Sequence, residues 1–340
     1  MKRPDTILKV VAAAALFSFS ARAENTSNAY NFLNIPTSSH VFGLGGNNIA
    51  IIDDDVTLTD QNPALIGPEV DKQVAFNYML YMSSGNFVGL RYGMGAGEHS
   101  GWAVGLRYLN YGKFDGYDEF GTPTGNFTPS DLVVEGTYSR DISARWRGGV
   151  NLKFAYSSYE QYNAFAIAAD LGVNYYDDEH DLSLSFVLKN MGGQVKRFTD
   201  TYNRVPFDIQ IGYMQTIGSS PFQIAITANN LTKWKIPYYA YTEDGEEKFE
   251  VKDGFFTNFF RHLIFGLQWQ PSDKFYACVA YNYKTHSDMT NHNNTFFSGF
   301  SLGAGFRTRG FSVGAAYAMP HKSASSLMLN LECTIGELLH

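Results

Sequence analysis

The sequence predicts an all-β protein, a 14-stranded antiparallel transmembrane β-barrel with an N-terminal plug segment. Three observations predict it. From Lys72 onward apolar or aromatic residues alternate with small or polar ones in runs of about ten, the period of a β-strand with a different environment on each face. Fourteen such runs occur, an even number, which lets the sheet close without an edge. The connections between them are short at every second position, and the long ones all fall in between.

The first 23 residues read as a signal peptide. Lys2, Arg3 and Lys9 precede the apolar run from Val10 to Phe19, and Ala21-Arg22-Ala23 supplies a small-x-small cleavage site, so export is expected with Glu24 first in the mature chain. Residues 24–71 follow as a segment of turn and breaker signals without alternation: Asn34-Ile35-Pro36, Gly43-Leu44-Gly45-Gly46, Asp53-Asp54-Asp55 and Asn62-Pro63-Ala64. With Val41, Phe42, Ile49, Ile51 and Ile52 among them, these residues are expected to pack inside a barrel wide enough to leak if left empty.

Residues 72–340 form the barrel. Its strands are expected near 72–82, 86–96, 101–112, 131–141, 144–158, 163–176, 181–191, 206–217, 221–230, 261–270, 274–285, 296–307, 310–319 and 325–335. Within them Arg91, Arg107, Glu135, Arg147, Lys153, Asp170, Lys189, Asp208, Lys284, Arg307 and Glu332 all take the less apolar parity. That parity faces the lumen, because a basic residue facing lipid at mid-depth costs about 2–4 kcal/mol. Cys278 falls inward and Cys333 outward, against a disulfide between them. The long connections at 113–130, 192–205, 231–260 and 286–295 read as extracellular loops, which puts both termini in the periplasm.

Composition excludes other classes. The chain of 340 residues is 44% hydrophobic and only 17% charged, with 26 basic against 33 acidic residues, the wrong sign for nucleic acid. No apolar run of 18 follows position 30, so membrane-spanning helices are excluded, and two cysteines exclude a four-cysteine zinc site. No nucleophile motif or His-Glu-x-x-His occurs, so neither catalysis nor a cofactor nor a metal centre is expected. Gly43, Gly45 and Gly46 read as tight turns, Asp53 and Asp54 as solvated or hydrogen-bonded carboxylates, and Asn62, Pro63 and Ala64 as a rigid turn.

Tyr30 to Pro36, then Gly43 to Gly46, Asp53-Asp54 and Asn62 to Ala64, in that order, resemble the N-terminal motif of the FadL-like outer-membrane proteins. The resemblance continues through Tyr108 to Phe114, Gly121 to Phe127, Asp170 to Gly172 and Lys189 to Gly193, nearly the whole mature chain. Within that family the chain is most similar to the PorQ-like branch serving the type IX secretion system of Bacteroidota. The end, Gly336 to His340, departs from the family by lacking a terminal aromatic residue. The resemblance implies a plugged 14-stranded barrel that anchors a PorZ-like surface protein, with PorU and PorV in the same attachment complex. Exposed aromatic residues in the loops suit such docking: Trp234, Tyr238, Tyr239, Tyr241 and Phe249 in one, Tyr117, Phe120 and Phe127 in another. A second expectation has the loop's inner aromatics joining the girdle against outer-membrane lipid or lipopolysaccharide. The alternative function is a FadL-like transporter of hydrophobic molecules, against which the polar inward residues weigh modestly.

Overall fold

A computed structural model describes residues 30–338 apart from 82–83, 119, 242–246, 290–296 and 322–323. The expected signal peptide, its cleavage site and residues 24–29 lie outside the described residues. From Gln73 the chain runs through the wall strands β1 (Gln73–Tyr81), β2 (Gly85–Gly95) and β3 (Ser100–Asn110), then a small hairpin of β4 (Phe114–Tyr117) and β5 (Pro123–Phe127). Wall strands β6 (Ser130–Ser143), β7 (Trp146–Tyr159), β8 (Tyr162–Asp177), β9 (Leu182–Lys196), β10 (Asp208–Thr216) and β11 (Phe222–Ala228) follow. A second hairpin, β12 (Pro237–Tyr241) with β13 (Glu247–Val251), precedes β14 (Leu263–Ser272), β15 (Phe275–Asn282), β16 (Phe300–Thr308), β17 (Phe311–His321) and β18 (Ala324–Thr334).

The wall is one closed sheet of 14 strands, each antiparallel to its neighbours in chain order, and β1 closes on β18. Every expected strand is present. Alternation sets the register: Glu135 stands opposite Lys153 on one side and Gly105 on the other, all facing inward. The outward parity is apolar yet exposed, as at Leu90, Leu106, Phe154, Phe186, Leu267 and Leu329. A belt of that kind suits hydrocarbon rather than water.

Among the described residues there are four α-helices: α1 (Ser39–Gly43), α2 (Phe255–Arg261), α3 (Tyr283–Met289) and α4 (Ile335–Leu338). Two correct the reading from sequence. The run expected over 274–285 ends at Asn282, because Asn282 Oδ1 accepts from Thr285 N (3.2 Å) and starts α3; Lys284 belongs to that helix and not to the wall. The aromatic run at 255–260 is helical rather than loop. The hairpins, α2 and α3 gather at one end of the barrel, called here the loop end; the short connections define the turn end.

Candidate functional site: the plugged lumen

Residues 30–71 lie within the wall. Ser38 caps α1, accepting from Val41 N (3.4 Å), and the chain then turns at Gly45 and Gly46, whose φ of 94° and 81° suit glycine. Asp55 caps a 3-10 turn over Val56–Asp60 by accepting from Thr57 N (2.6 Å). Asn62 caps the next, Pro63–Leu65, accepting from Ala64 N (2.9 Å) while its Nδ2 donates to Ile49 O and to Ser185 Oγ of β9, both at 3.0 Å. Asn62-Pro63-Ala64 thus clamps the plug to the wall. Pro63 and Asn62 sit so close to Gly149 and Gly172 that neither wall position has room for a Cβ. On the opposite wall, Asn330 of β18 grips α1's approach: its Oδ1 accepts from Ser39 N (3.0 Å) and its Nδ2 donates to Thr37 O (3.1 Å).

A layer of buried charge crosses mid-lumen. Arg91 donates from Nε to Thr37 Oγ1 (2.9 Å) and also bonds Thr59 and Glu135. Arg107 meets the same Glu135 carboxylate at 3.2 Å from Nε, and Asn151 Nδ2 donates to it at 3.1 Å. Asp60, from the plug, stands 4.0 Å from Arg91 and 3.9 Å from Arg107 and accepts from Thr37 N (3.0 Å). Further round the wall Lys153 pairs with Asp170 (2.6 Å) and donates to Asn190 Oδ1 (3.0 Å). Asn190 takes a φ of 56° at an irregularity in the β8–β9 register, which aims its N–H at Asp170 Oδ1 (2.7 Å) and its Nδ2 at Asn34 Oδ1 (2.9 Å) of the plug. Lys189, 1% exposed, adds a fourth cation, with Asp60 and Asp170 opposing its charge. Four cations therefore face three carboxylates, and charges so buried are tolerated only because they are paired and hydrogen-bonded.

Toward the loop end the lumen turns apolar. Met79, Phe87, Leu109, Val133, Ala155, Ala166 and Met328 line a chamber filled by the plug's own Tyr30, Phe32 and Leu33. Tyr30 OH accepts from Gln194 Nε2 (2.9 Å), and Leu33 O accepts from Arg107 Nη1 (3.3 Å). A second apolar cluster joins Val41, Leu44, Ile51 and Leu58 of the plug to Met214, Ala225 and Cys278 of the wall.

At the turn end Asp53 meets His40 Nδ1 (3.3 Å) and Arg307 Nη2 (2.5 Å), and the His40 ring stacks on Tyr276 with centroids 3.8 Å apart. Burial alone would push the Asp53 carboxyl up, but the His40 hydrogen bond and the Arg307 guanidinium hold it well below the usual carboxylate range. Arg307, Asp53, His40 and Tyr276 border a cavity of about 20 Å³. Asp54 is exposed, so the three consecutive aspartates have three different surroundings.

The residues expected to dock a partner fall into two groups. Tyr117, Phe120 and Phe127 belong to the β4–β5 hairpin; Phe120 is 92% exposed beyond its tip, and Phe127 stacks on Phe114 with centroids 5.9 Å apart. Tyr238 donates to Glu250 Oε2 (3.0 Å), and Trp234 packs against Phe255 (5.2 Å) and His262 (5.6 Å). Tyr239 pairs with Phe249 across β12–β13, but the side chains of Tyr239, Tyr241 and Phe249 lie outside the described residues.

Asp60 and Asn330 carry no signal in the sequence, and Asn190 stands out there only within the family motif, since nothing local marks a residue whose partners lie across the lumen. Asp177, Glu179 and His180 were likewise missed. Their ligand atoms lie within 4.8 Å of one another at a turn-end connection, where Arg145 already meets both carboxylates at 3.4 Å.

No protein-family model matches the sequence, and no curated protein matches it. Solved structures do match in fold. The chain is similar to the toluene transporter TbuX of Ralstonia pickettii, with a TM-score of 0.54 and 9% identity over 88% of this chain and 98% of that one. It is similar too to the toluene transporter TodX of Pseudomonas putida, with a TM-score of 0.52 and 9% identity over 86% and 95%. What the chain shares with these two transporters is thus its fold, a closed antiparallel barrel of 14 strands.

Proposed function

We propose that the chain is an outer-membrane barrel that admits hydrophobic molecules to its lumen from the loop end. The observation that carries this reading is the apolar chamber around Tyr30, Phe32 and Leu33, walled by Phe87, Leu109 and Met328 and floored by the cationic layer of Arg91, Arg107, Lys153 and Lys189. The chamber's present occupant is a segment of the chain itself, held by packing and by a few hydrogen bonds, Gln194 to Tyr30 OH and Arg107 to Leu33 O among them, so a ligand of similar polarity can compete for the space. A cationic floor favours a molecule whose polar end, where it has one, is acidic. The likeness to two toluene transporters supports the class of cargo and leaves the molecule open.

The test is uptake. Cells or proteoliposomes carrying the barrel should accumulate a labelled long-chain carboxylic acid or a neutral aromatic hydrocarbon faster than controls. Replacing Tyr30 and Phe32 with Ala, which empties the chamber, should change that rate. Equal accumulation with and without the barrel, for both probes, would refute the reading.

A second reading rests on Phe120 and Tyr117, which the β4–β5 hairpin carries into solvent. It makes the barrel a surface anchor, whose occupant in the type IX setting is a PorZ-like protein alongside PorU and PorV. Co-purification of such a partner, lost on replacing Tyr117 and Phe120 with Ser while the barrel stays folded, would favour it.

A further inference from the structure

Helix α2, Phe-Phe-Thr-Asn-Phe-Phe-Arg, is inside-out. Its polar residues turn into the protein: Asn258 and Arg261 are each 1% exposed, Asn258 donating to Lys252 O (2.7 Å) and Arg261 to Ile236 O and Asp288 Oδ1, both at 2.6 Å. Its four phenylalanines turn out. Phe255 and Phe256 are 66% and 73% exposed, and Phe259 and Phe260 sit one turn on along the same face. Hydrogen bonds to α3 and to the base of the β12–β13 hairpin fix this orientation, so the helix cannot roll to hide the rings. In water four exposed phenylalanines on a seven-residue helix invert the usual amphipathic rule.

The face continues a surface already described. Phe260 lies 6.4 Å, centroid to centroid, from Phe265, an outward residue of β14, and below Phe265 on the same strand the outward parity passes through Leu267 and Trp269 of the apolar belt. We propose that the phenylalanine face of α2 lies in the membrane itself, at the level where the headgroups of the loop-side leaflet meet the acyl chains, and that lipid is its occupant. Aromatic side chains concentrate at that depth, and an in-plane helix buries such a face by a few ångströms into the boundary. The surface is therefore an anchor against lipid rather than a docking face for protein, and it fixes the depth at which this side of the barrel floats. The inference rests on the membrane location proposed above.

The experiment places an environment-sensitive nitrobenzoxadiazole label at Phe256→Cys, in a chain whose Cys278 and Cys333 are replaced by Ala, reconstituted in phosphatidylcholine vesicles. Ile224→Cys, mid-belt on β11, and Phe120→Cys, on the projecting hairpin, serve as references, and Phe259→Cys repeats the test should the first variant not fold. The label on α2 should emit to the blue of the Phe120 label and resist iodide. Lipids with a nitroxide near the headgroup should quench it severalfold more than lipids with one deep in the chain, the reverse of the Ile224 label. Iodide quenching equal to that at Phe120, with no response to nitroxide lipids, would overturn the proposal. So would a label open to iodide in vesicles but shielded in native outer membranes, which would make the occupant a protein. Failure of the Ile224 label to meet lipid would instead sink the membrane location.

Discussion

Glu135 is the hinge of the mid-lumen charge layer, and Glu135→Gln tests it with almost no change of volume. The carboxylate now serves Arg91, Arg107 at 3.2 Å and Asn151 at 3.1 Å. An amide keeps one acceptor but turns an N–H₂ toward groups that are themselves donors, and the layer falls from three carboxylates against four cations to two. Removing one partner of a buried ion pair typically costs about 3–5 kcal/mol, because the remaining charge stays buried without compensation. Asp60, 3.9–4.0 Å from both guanidiniums, offsets part of the loss and sets the expectation at the lower end, about 3 kcal/mol. Urea unfolding of the barrel in detergent micelles or vesicles, followed by tryptophan fluorescence and gel migration without heating, measures it. Glu135→Gln with Arg107→Gln should cost clearly less than the sum of the single changes, since each orphan is removed with its partner. A destabilisation under about 1 kcal/mol for the single change would show that the layer does not stabilise the barrel through these pairs.

Asn62→Ala removes a cap, one hydrogen bond within the plug and one to the wall, and should cost about 1–3 kcal/mol in the same assay, with Asn62→Asp, which keeps the cap alone, falling between. The depressed carboxyl of Asp53 carries a sign: its stabilisation is complete above the ordinary aspartate range, about pH 4, and is lost as pH falls below it. Wild type should therefore lose more stability than Asp53→Asn between pH 6 and pH 3, and parallel curves would remove Asp53 from the acid response. Orientation is open to labelling: a cysteine at Thr124 should react with an impermeant maleimide on intact cells and one at Glu179 should not, the reverse pattern inverting the barrel. Deleting residues 30–65 should leave a barrel that inserts and conducts ions in planar bilayers, and a tight one would show that the lumen closes by other means.

The wall was readable residue by residue because its two faces meet opposite surroundings, so that even Arg91 and Lys153 declare their side by parity alone. The two helices at the loop end were not. In α3 the alternation of β15 runs on through Tyr281 and Tyr283, and only the Asn282 hydrogen bond to Thr285 marks the stop. In α2 the apolar residues fall at helical spacing but on the face that sequence logic would bury, so the run passed for aromatic loop. Local signals in the plug gave its turns, Gly45 and Asn62 among them. Its grip on the wall, through Asp60, Asn190 and Asn330, is made of contacts between residues tens to hundreds of positions apart, which no local pattern records.

Asn330 sits on the last strand and holds residues 37 and 39, while that same strand zips to β1, the first. The two ends of the chain are thus stitched at one meridian by two kinds of thread, the ladder between strands and the side-chain grip on the plug. A wall that shut first would leave Arg91 and Asn330 facing an unfilled bore without Thr37, Thr59 and Ser39, the plug groups that they bond. Shutting the cylinder and seating its filling are thus coupled in this molecule, since the strand that completes the wall also completes the grip on the amino-terminal segment.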